Sequence, residues 1–138
     1  MKKSDSQPVL TATEVEDLSC SQCYNLAAID VGSNAARLLI KHVECEPDGG
    51  RHVSKLMFLR VPLRLGMDVF GSGEVSEERA KEFVATMKAY RQLMKVYHVE
   101  RYRACATSAM RDAKNGADLL RRIEHKAHIR LDIITGDE

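Results

Sequence analysis

The chain has 138 residues, 44% of them hydrophobic and 30% charged, which is the size and composition of one globular domain with its own core. Its 21 basic and 20 acidic side chains leave a net charge of +1, which argues against nucleic acid or an anionic membrane surface as a partner. Aromatic residues make up only 5% of the chain and Trp is absent, so platforms for stacking nucleic-acid bases are not expected either.

Residues 1–24 are predicted to be a flexible N-terminal tail, because they are polar and show no periodicity. The chain has no run near the roughly 20 apolar residues of a membrane span and no apolar signal-peptide core, so a cytoplasmic location is expected. Cys20 and Cys23 form a C-x-x-C pair in this tail. A single pair needs further ligands to hold a metal, and His42, Cys45 or His52 would join it only by chance geometry. We therefore interpret the pair as incidental.

Three strands joined by tight turns are predicted from apolar runs at residues 25–30, 37–44 and about 52–60. Residues 46–50 read Glu-Pro-Asp-Gly-Gly, a strong turn signal between the second and third strands. Pro62 cannot donate a backbone hydrogen bond, so residues 61–65 are predicted to be a sheet edge or a break.

A helix of about 22 residues is predicted after Ser76, whose hydroxyl suits an N-cap and which two glutamates follow. The segment before it, residues 69–76, is predicted to be a loop. Three further elements are predicted in chain order: a strand at 99–107, a helix opened by Asn115 or Gly116, and a strand at 130–135. The resulting order is β-β-β-α-β-α-β, an α/β layer sandwich whose mixed sheet gains parallel strands through the helical crossovers.

The turn between the first two strands, in "NLAAIDVGSNAARLLI", has the residue types of an anion-binding loop. Gly32 permits close approach of a ligand, while Ser33 and Asn34 add side-chain donors. Arg37 could reach a phosphate as a forked cation. Asp30 would repel phosphate unless a cation lay between them, which suggests Mg²⁺. The alternative is an ordinary hairpin in which the polar residues serve only the turn.

A second cluster of small residues, "ATSAMR", lies where a predicted strand meets a helix start. Thr107 and Ser108 are hydroxyl donors there, and Arg111 follows one helical turn later. Helix N-termini favour anions, so this segment is a second candidate for phosphate binding. The alternative is that Thr107 or Ser108 simply caps the helix.

Together, "AAIDVGSNAARLLI", "RLG", "VERYRACATSAMRDAKNG" and the closing "IITGDE" strongly resemble the exopolyphosphatase / guanosine pentaphosphate phosphohydrolase (Ppx/GppA) family. The resemblance covers residues 25–138, with the motifs in the family's order and spacing. It implies the ribonuclease-H-like, actin-like ATPase fold of the actin, Hsp70 and sugar-kinase superfamily. In that fold two such domains enclose a cleft, and this chain would be the N-terminal half of the pair.

The resemblance also implies site residues. The segment from Asp30 to Arg37 matches the family's first phosphate loop, and Thr107, Ser108 and Arg111 match its A-T-x-A-x-R segment at the cleft wall. Family members remove a terminal phosphate from polyphosphate, or the γ-phosphate from guanosine pentaphosphate, with Mg²⁺ and a glutamate that activates water. These would be the substrates and the cofactor here.

Two departures from the family pattern affect this expectation. Ala35 stands where the family has a second serine, which would weaken phosphate contact modestly or have no effect if the position faces the core. Glu138 matches the first glutamate of the family's Glu-Glu pair, but we assign the base role to the second, which is not in this sequence. The second domain's phosphate loop is not in it either. The chain is thus expected to be inactive by itself, with the second domain and a homodimer copy as partners.

The sequence leaves other readings open. One is a non-catalytic half-domain that binds phosphate or polyphosphate, or that dimerises through a face left exposed. Another is a kinase or ATPase of the same superfamily, although "ATSAMRDAKNG" resembles the phosphatase branch. The choice between polyphosphate and guanosine pentaphosphate cannot be read from these residues.

Overall fold

The computed structural model describes residues 23–135, which form a five-stranded sheet and four helices. The predictions for residues 1–22 and for Glu138 lie outside the described residues. In chain order the elements are β1 (Tyr24–Val31), β2 (Ala36–Cys45), β3 (Arg51–Val61), α1 (Leu65–Ser72), α2 (Glu77–Val96), β4 (Arg101–Ala106), α3 (Ser108–Asp112), α4 (Gly116–Ala127) and β5 (Asp132–Ile133).

The strands lie in the order β3-β2-β1-β4-β5. The pairs β1/β2 and β2/β3 are antiparallel, whereas β1/β4 and β4/β5 are parallel. This confirms the predicted mixed sheet, in which helical crossovers add parallel strands beside β1. The carboxyl ends of β1 and β4 consequently meet at the same edge of the sheet.

The core lies between one face of the sheet and the helices. Alternate residues of β1, namely Ala27, Ile29 and Val31, are buried there together with Phe83 and Met87 of α2. Such alternation is expected of a strand with one covered face. Arg91 is the buried charged side chain of the described region, and its guanidinium nitrogens have no hydrogen-bond partner there, so its burial costs folding free energy. Within residues 23–135, no helix is long and apolar enough to cross a membrane.

The prediction of a loop over residues 69–76 was wrong in its first half, because α1 occupies Leu65–Ser72. Leu65 and Val69 are buried one helical turn apart, and this burial outweighs the low helix propensity of the segment's glycines. Gly73 ends the helix in the left-handed region, at φ 85°, and its N–H donates to Val69 O. Ser76 caps α2 as predicted by accepting a hydrogen bond from Arg79 N.

The element order therefore has two helices in each crossover, not one. The helix predicted from Asn115 or Gly116 is α4, and a five-residue helix, α3, precedes it. The last strand is shorter than the predicted 130–135, because only Asp132 and Ile133 pair with β4.

The side chain of Asp68 links α1 to the start of α2 through hydrogen bonds. Its carboxylate accepts hydrogen bonds from Ser76 N at 2.9 Å and from Arg79 Nε at 2.8 Å. Arg79 Nη1 also donates to Leu63 O at 2.9 Å, which extends the link to the segment after β3. Partial burial raises the pKa of Asp68, but the hydrogen bonds from Ser76 and Arg79 outweigh it and hold the pKa below its usual value.

Asp68→Asn is expected to lower the free energy of unfolding at pH 7. A carboxylate with a depressed pKa stabilises the fold above its unfolded-state pKa, and this contribution is lost as pH falls through the folded-state pKa. The stability difference between wild type and variant should therefore shrink below about pH 4. Urea unfolding at a series of pH values measures it. Asp118→Asn, which removes a carboxylate from an exposed ion pair with Arg121, is the control and should show little difference at any pH.

Candidate functional site

The two segments singled out in the sequence meet at one edge of the sheet. Residues 32–35 follow β1 directly, and Thr107 follows β4, the parallel neighbour of β1. Thr107 N donates to Val31 O at 3.0 Å, so the chain leaves both strands side by side. Ligand sites in open α/β sheets are typically found at such carboxyl ends of strands.

The start of α1 holds the loop at residues 32–35. Gly66 N donates to Ser33 O at 2.8 Å, and Arg64 N donates to Asn34 O at 2.9 Å. Gly66 approaches so closely that a Cβ there would lie 2.9 Å from Ser33 Cβ. Arg64 adopts the left-handed region at φ 55° to turn the chain into the helix. The Arg-Leu-Gly motif thus has a structural role in positioning the loop.

Tyr90 fixes the other end of the loop. Its hydroxyl lies in the core and donates to Ala36 O at 2.8 Å, which joins the middle of α2 to the first residue of β2. Burial raises the pKa of Tyr90 to about 12, so the hydroxyl keeps its proton and remains a donor at neutral pH.

A hydrogen bond joins the two candidate phosphate segments directly. Ser33 Oγ and Ser108 Oγ lie 3.0 Å apart, although the residues are 75 positions apart in the chain. Thr107 occupies the N-cap position of α3, but its hydroxyl caps nothing in the described part of the chain and lies 3.5 Å from Val31 O. Within the described residues, therefore, neither the Thr107 hydroxyl nor the Ser108 hydroxyl caps a helix.

An open cleft of about 420 Å³ lies on the face of the sheet opposite the core at this same edge. Asp30 is exposed at its wall, and Thr107 lines it beside the end of β5. The full lining is Ala28, Ile29, Asp30, Arg103, Cys105, Thr107, Ile134 and Thr135.

Arg103 and Thr135 in this lining were missed by the sequence reasoning. Arg103 is the register partner of Ala28, and it is exposed between the buried Tyr102 and Ala104. That alternation places a cation on the open face of the strand, next to the cleft. The alternation could have been read from the sequence, but the nearness of Arg103 to Asp30 depends on the β1/β4 register.

The other predicted site residues lie around this cleft without lining it. Arg37 is the register partner of Asp30 on β2 and is exposed, as is Asn34. Arg111 Nη1 donates to Ile134 O at 3.4 Å, which brings its side chain to the rim of the cleft.

Ala35 and Gly32 are the two loop positions for which the sequence led to a specific expectation. Ala35 is only 5% exposed, so the missing serine hydroxyl falls at a position that faces the interior. Gly32 has no positive φ, and the nearest described atom to a Cβ added there would be Ala35 O at 3.9 Å. The fold itself does not require glycine at this position.

The cleft offers oxygen donors of the kind that Mg²⁺ prefers. Asp30, Thr107 and Thr135, whose side chains carry a carboxylate and two hydroxyls, all line it. Hard-cation sites commonly use one or two carboxylates together with water and substrate oxygens, and this lining fits that pattern.

Comparison with known proteins points to one family. The family model described as Ppx/GppA phosphatase family matches residues 47–138. Exopolyphosphatase 1 of Mycobacterium tuberculosis is 27% identical over 113 residues, which are 82% of this chain and 32% of the relative. Exopolyphosphatase 2 of the same organism is 36% identical over 90 residues, 65% of this chain and 28% of the relative.

Solved structures are similar over the same part of the chain. The Ppx/GppA family member of Aquifex aeolicus has a TM-score of 0.76 and 31% identity, covering 83% of this chain and 36% of that one. An exopolyphosphatase from Cytophaga hutchinsonii has a TM-score of 0.71 and 26% identity, covering 82% and 35%. This chain therefore spans about a third of the length of the relatives that it matches.

Proposed function

Because this chain belongs to the Ppx/GppA phosphatase family, we propose that it forms one wall of the active-site cleft of an exopolyphosphatase. The reaction is hydrolysis of a terminal phosphoanhydride bond. Water adds to the terminal phosphorus and the bridging P–O bond breaks. The products are inorganic phosphate and a polyphosphate chain shortened by one unit. Guanosine pentaphosphate, whose γ-phosphate is attached in the same way, is the second substrate candidate.

The observation that carries this proposal is the contact between the two phosphate segments. The Ser33–Ser108 hydrogen bond joins the loop after β1 to the start of α3, at the edge where the parallel strands β1 and β4 end and where Asp30 lines the cleft. Phosphoryl transfer needs mainly positioning and charge neutralisation, and hydroxyl donors beside a carboxylate and a cation supply both. Gly32 supports the proposal, because a residue with no side chain there leaves room for a ligand against the backbone.

Residues of this wall would have distinct roles. Ser33, Asn34 and Thr107 would donate hydrogen bonds to the terminal phosphate, and Arg103 would supply positive charge from the wall of the cleft. Asp30 would hold Mg²⁺, which when bound offsets the negative charge of the phosphates. The general base is proposed to be a glutamate of the family's Glu-Glu pair, whose first member is matched by Glu138.

The second wall is proposed to come from a further domain, because the relatives are about three times as long as this chain. Several large apolar side chains are exposed in the present structure, namely Val53, Leu56, Phe58, Met67 and Phe70. Such side chains commonly lie at contacts with another domain or another chain. The same exposed side chains also fit the alternative function, a half-domain that binds polyphosphate or dimerises without hydrolysis.

Phosphate release from polyphosphate in Mg²⁺ tests the proposal. The assay uses this chain, and a chimera in which it replaces the matching 36% of the Aquifex aeolicus chain. The chimera is expected to release phosphate, and the chain alone is expected to be much slower. If neither does so while the Aquifex parent is active, the enzyme proposal is wrong. Binding of polyphosphate by the chain under those conditions would favour the binding half-domain instead.

A further inference from the structure

A cluster of potential metal ligands lies at the opposite end of the sheet from the phosphate segments. It consists of Cys23, His42 and Glu44, whose ligand atoms all lie within 4.8 Å of one another. Cys23 directly precedes β1, and His42 and Glu44 are alternate residues of β2, so the two share a face. The length of β1 places this cluster about 26 Å from the phosphate loop.

The hydrogen bonds around His42 determine which ring nitrogen is free. Asn25 Nδ2 donates to Tyr97 O at 2.6 Å, so its Oδ1 is the atom that faces His42 Nδ1, also at 2.6 Å. An amide oxygen can only accept, and therefore His42 Nδ1 must carry a proton. In the neutral imidazole Nε2 then has the free lone pair, and this is the atom directed at Glu44 Oε1, 3.4 Å away.

This arrangement is the one found around metal-binding histidines. Such histidines usually donate one ring N–H to a fixed oxygen, which orients the ring and leaves the other nitrogen for the ion. Asn25 has that role here, and it is itself held by the C-cap residue of α2. The negative end of a helix dipole also favours a nearby cation.

We propose that Cys23, His42 and Glu44 bind one Zn²⁺ ion. A thiolate, an imidazole and a carboxylate are all accepted zinc ligands, and the mixture of sulfur and nitrogen suits zinc better than Mg²⁺. Zinc bonds nitrogen at about 2.0 Å and sulfur at about 2.3 Å, so the ligand atoms need to close to about 3–4 Å from one another. Small side-chain rotations achieve this at a site where Cys23 and Glu44 are exposed. Cys20 completes the C-x-x-C pair in sequence, but the proposal does not depend on it.

The ion would join the start of β1 to the end of β2 and so stabilise the first hairpin of the sheet. A ligand that binds only the folded state raises the apparent stability. Zinc is thus expected to raise the melting temperature of the metal-free chain. Its site is separate from the cleft and requires no phosphate.

The test is zinc binding by the untagged, metal-free chain, measured by competition with a chromogenic chelator. We expect one ion per chain, and at least about tenfold weaker binding in each of Cys23→Ser, His42→Ala and Glu44→Gln. Co²⁺ in place of zinc should give a thiolate charge-transfer band, and Cys23→Ser should abolish it. Circular dichroism of the metal-free variants checks that each is folded.

Two variants are matched controls. Cys45→Ser changes the residue next to Glu44, whose side chain points to the other face of β2. His125→Ala removes an exposed histidine on α4. Both should bind zinc as wild type does. Absence of stoichiometric binding by the wild-type chain would mean that His42 and Glu44 form only a surface ion pair, and it would overturn the proposal. Equal binding by wild type, Cys23→Ser and His42→Ala would also overturn it.

Discussion

Asp30→Asn is expected to lower kcat for phosphate release by the chimera at least about 100-fold, the scale of losing one preorganised electrostatic group. Asp30 is exposed at the wall of the cleft, beside Thr107 and near Arg103. A neutral amide of the same shape removes the negative charge that would attract the cation while leaving the packing unchanged. The expected signature is a much greater Mg²⁺ requirement together with the loss in rate. Initial rates over a series of Mg²⁺ concentrations measure both.

Asp118→Asn provides the control for charge removal. Asp118 is exposed on α4, where its ion pair with Arg121 is worth little, so the variant should match the parent in rate and Mg²⁺ dependence. Asp30→Asn also has a binding readout in the chain alone. Without Mg²⁺, the variant should bind polyphosphate at least as tightly as wild type, because a repulsive charge has been removed. Unchanged Mg²⁺ dependence of Asp30→Asn would contradict the assigned role.

Periodicity was enough to predict the sheet and the long helix. Apolar runs placed β1, β2 and β3 within a few residues of their observed bounds, and Ser76 marked the start of α2. The parallel addition of β4 followed from the intervening helix. These features depend on local patterns that the chain carries in consecutive residues.

The site was less accessible from sequence, because it depends on which distant residues meet. The segments around Ser33 and Ser108 were identified separately, but their 3.0 Å contact follows from the register that pairs Val31 with Ala106. Arg103 was missed for the same reason. The roles assigned to these residues in phosphate binding stay predictions.

The wrong loop prediction has a different physical cause. Gly71 and Gly73 lie in the segment predicted to be a loop, whereas in the structure Gly71 lies inside α1 and Gly73 ends that helix. The C-x-x-C pair was interpreted as incidental, with His42 joining it only by chance geometry, and that interpretation stays a prediction. The antiparallel pairing of β1 with β2 brings His42 and Glu44 next to Cys23, which no local pattern could indicate.

Gly116→Ala is expected to destabilise the chain by about 2–3 kcal/mol, the upper part of the range for overpacking. Gly116 is the first residue of α4 and is buried against α3. A Cβ there would lie 2.3 Å from Met110 O, which is backbone and cannot rotate away. Either α3 or α4 must therefore shift. Thermal unfolding should show a fall in Tm of about 10 °C.

The same substitution at Gly71 is the matched control, since it too replaces glycine by alanine within a helix. No described atom lies within 4 Å of a Cβ added at Gly71, so the higher helix propensity of alanine should leave stability unchanged or raise it by up to about 1 kcal/mol. Equal Tm values for the two variants would contradict the steric argument. Because α3 carries Ser108, a shift of α3 would also disturb its hydrogen bond to Ser33. Gly116→Ala in the chimera should then lower phosphate release even at temperatures where the protein remains folded, whereas Gly71→Ala should not.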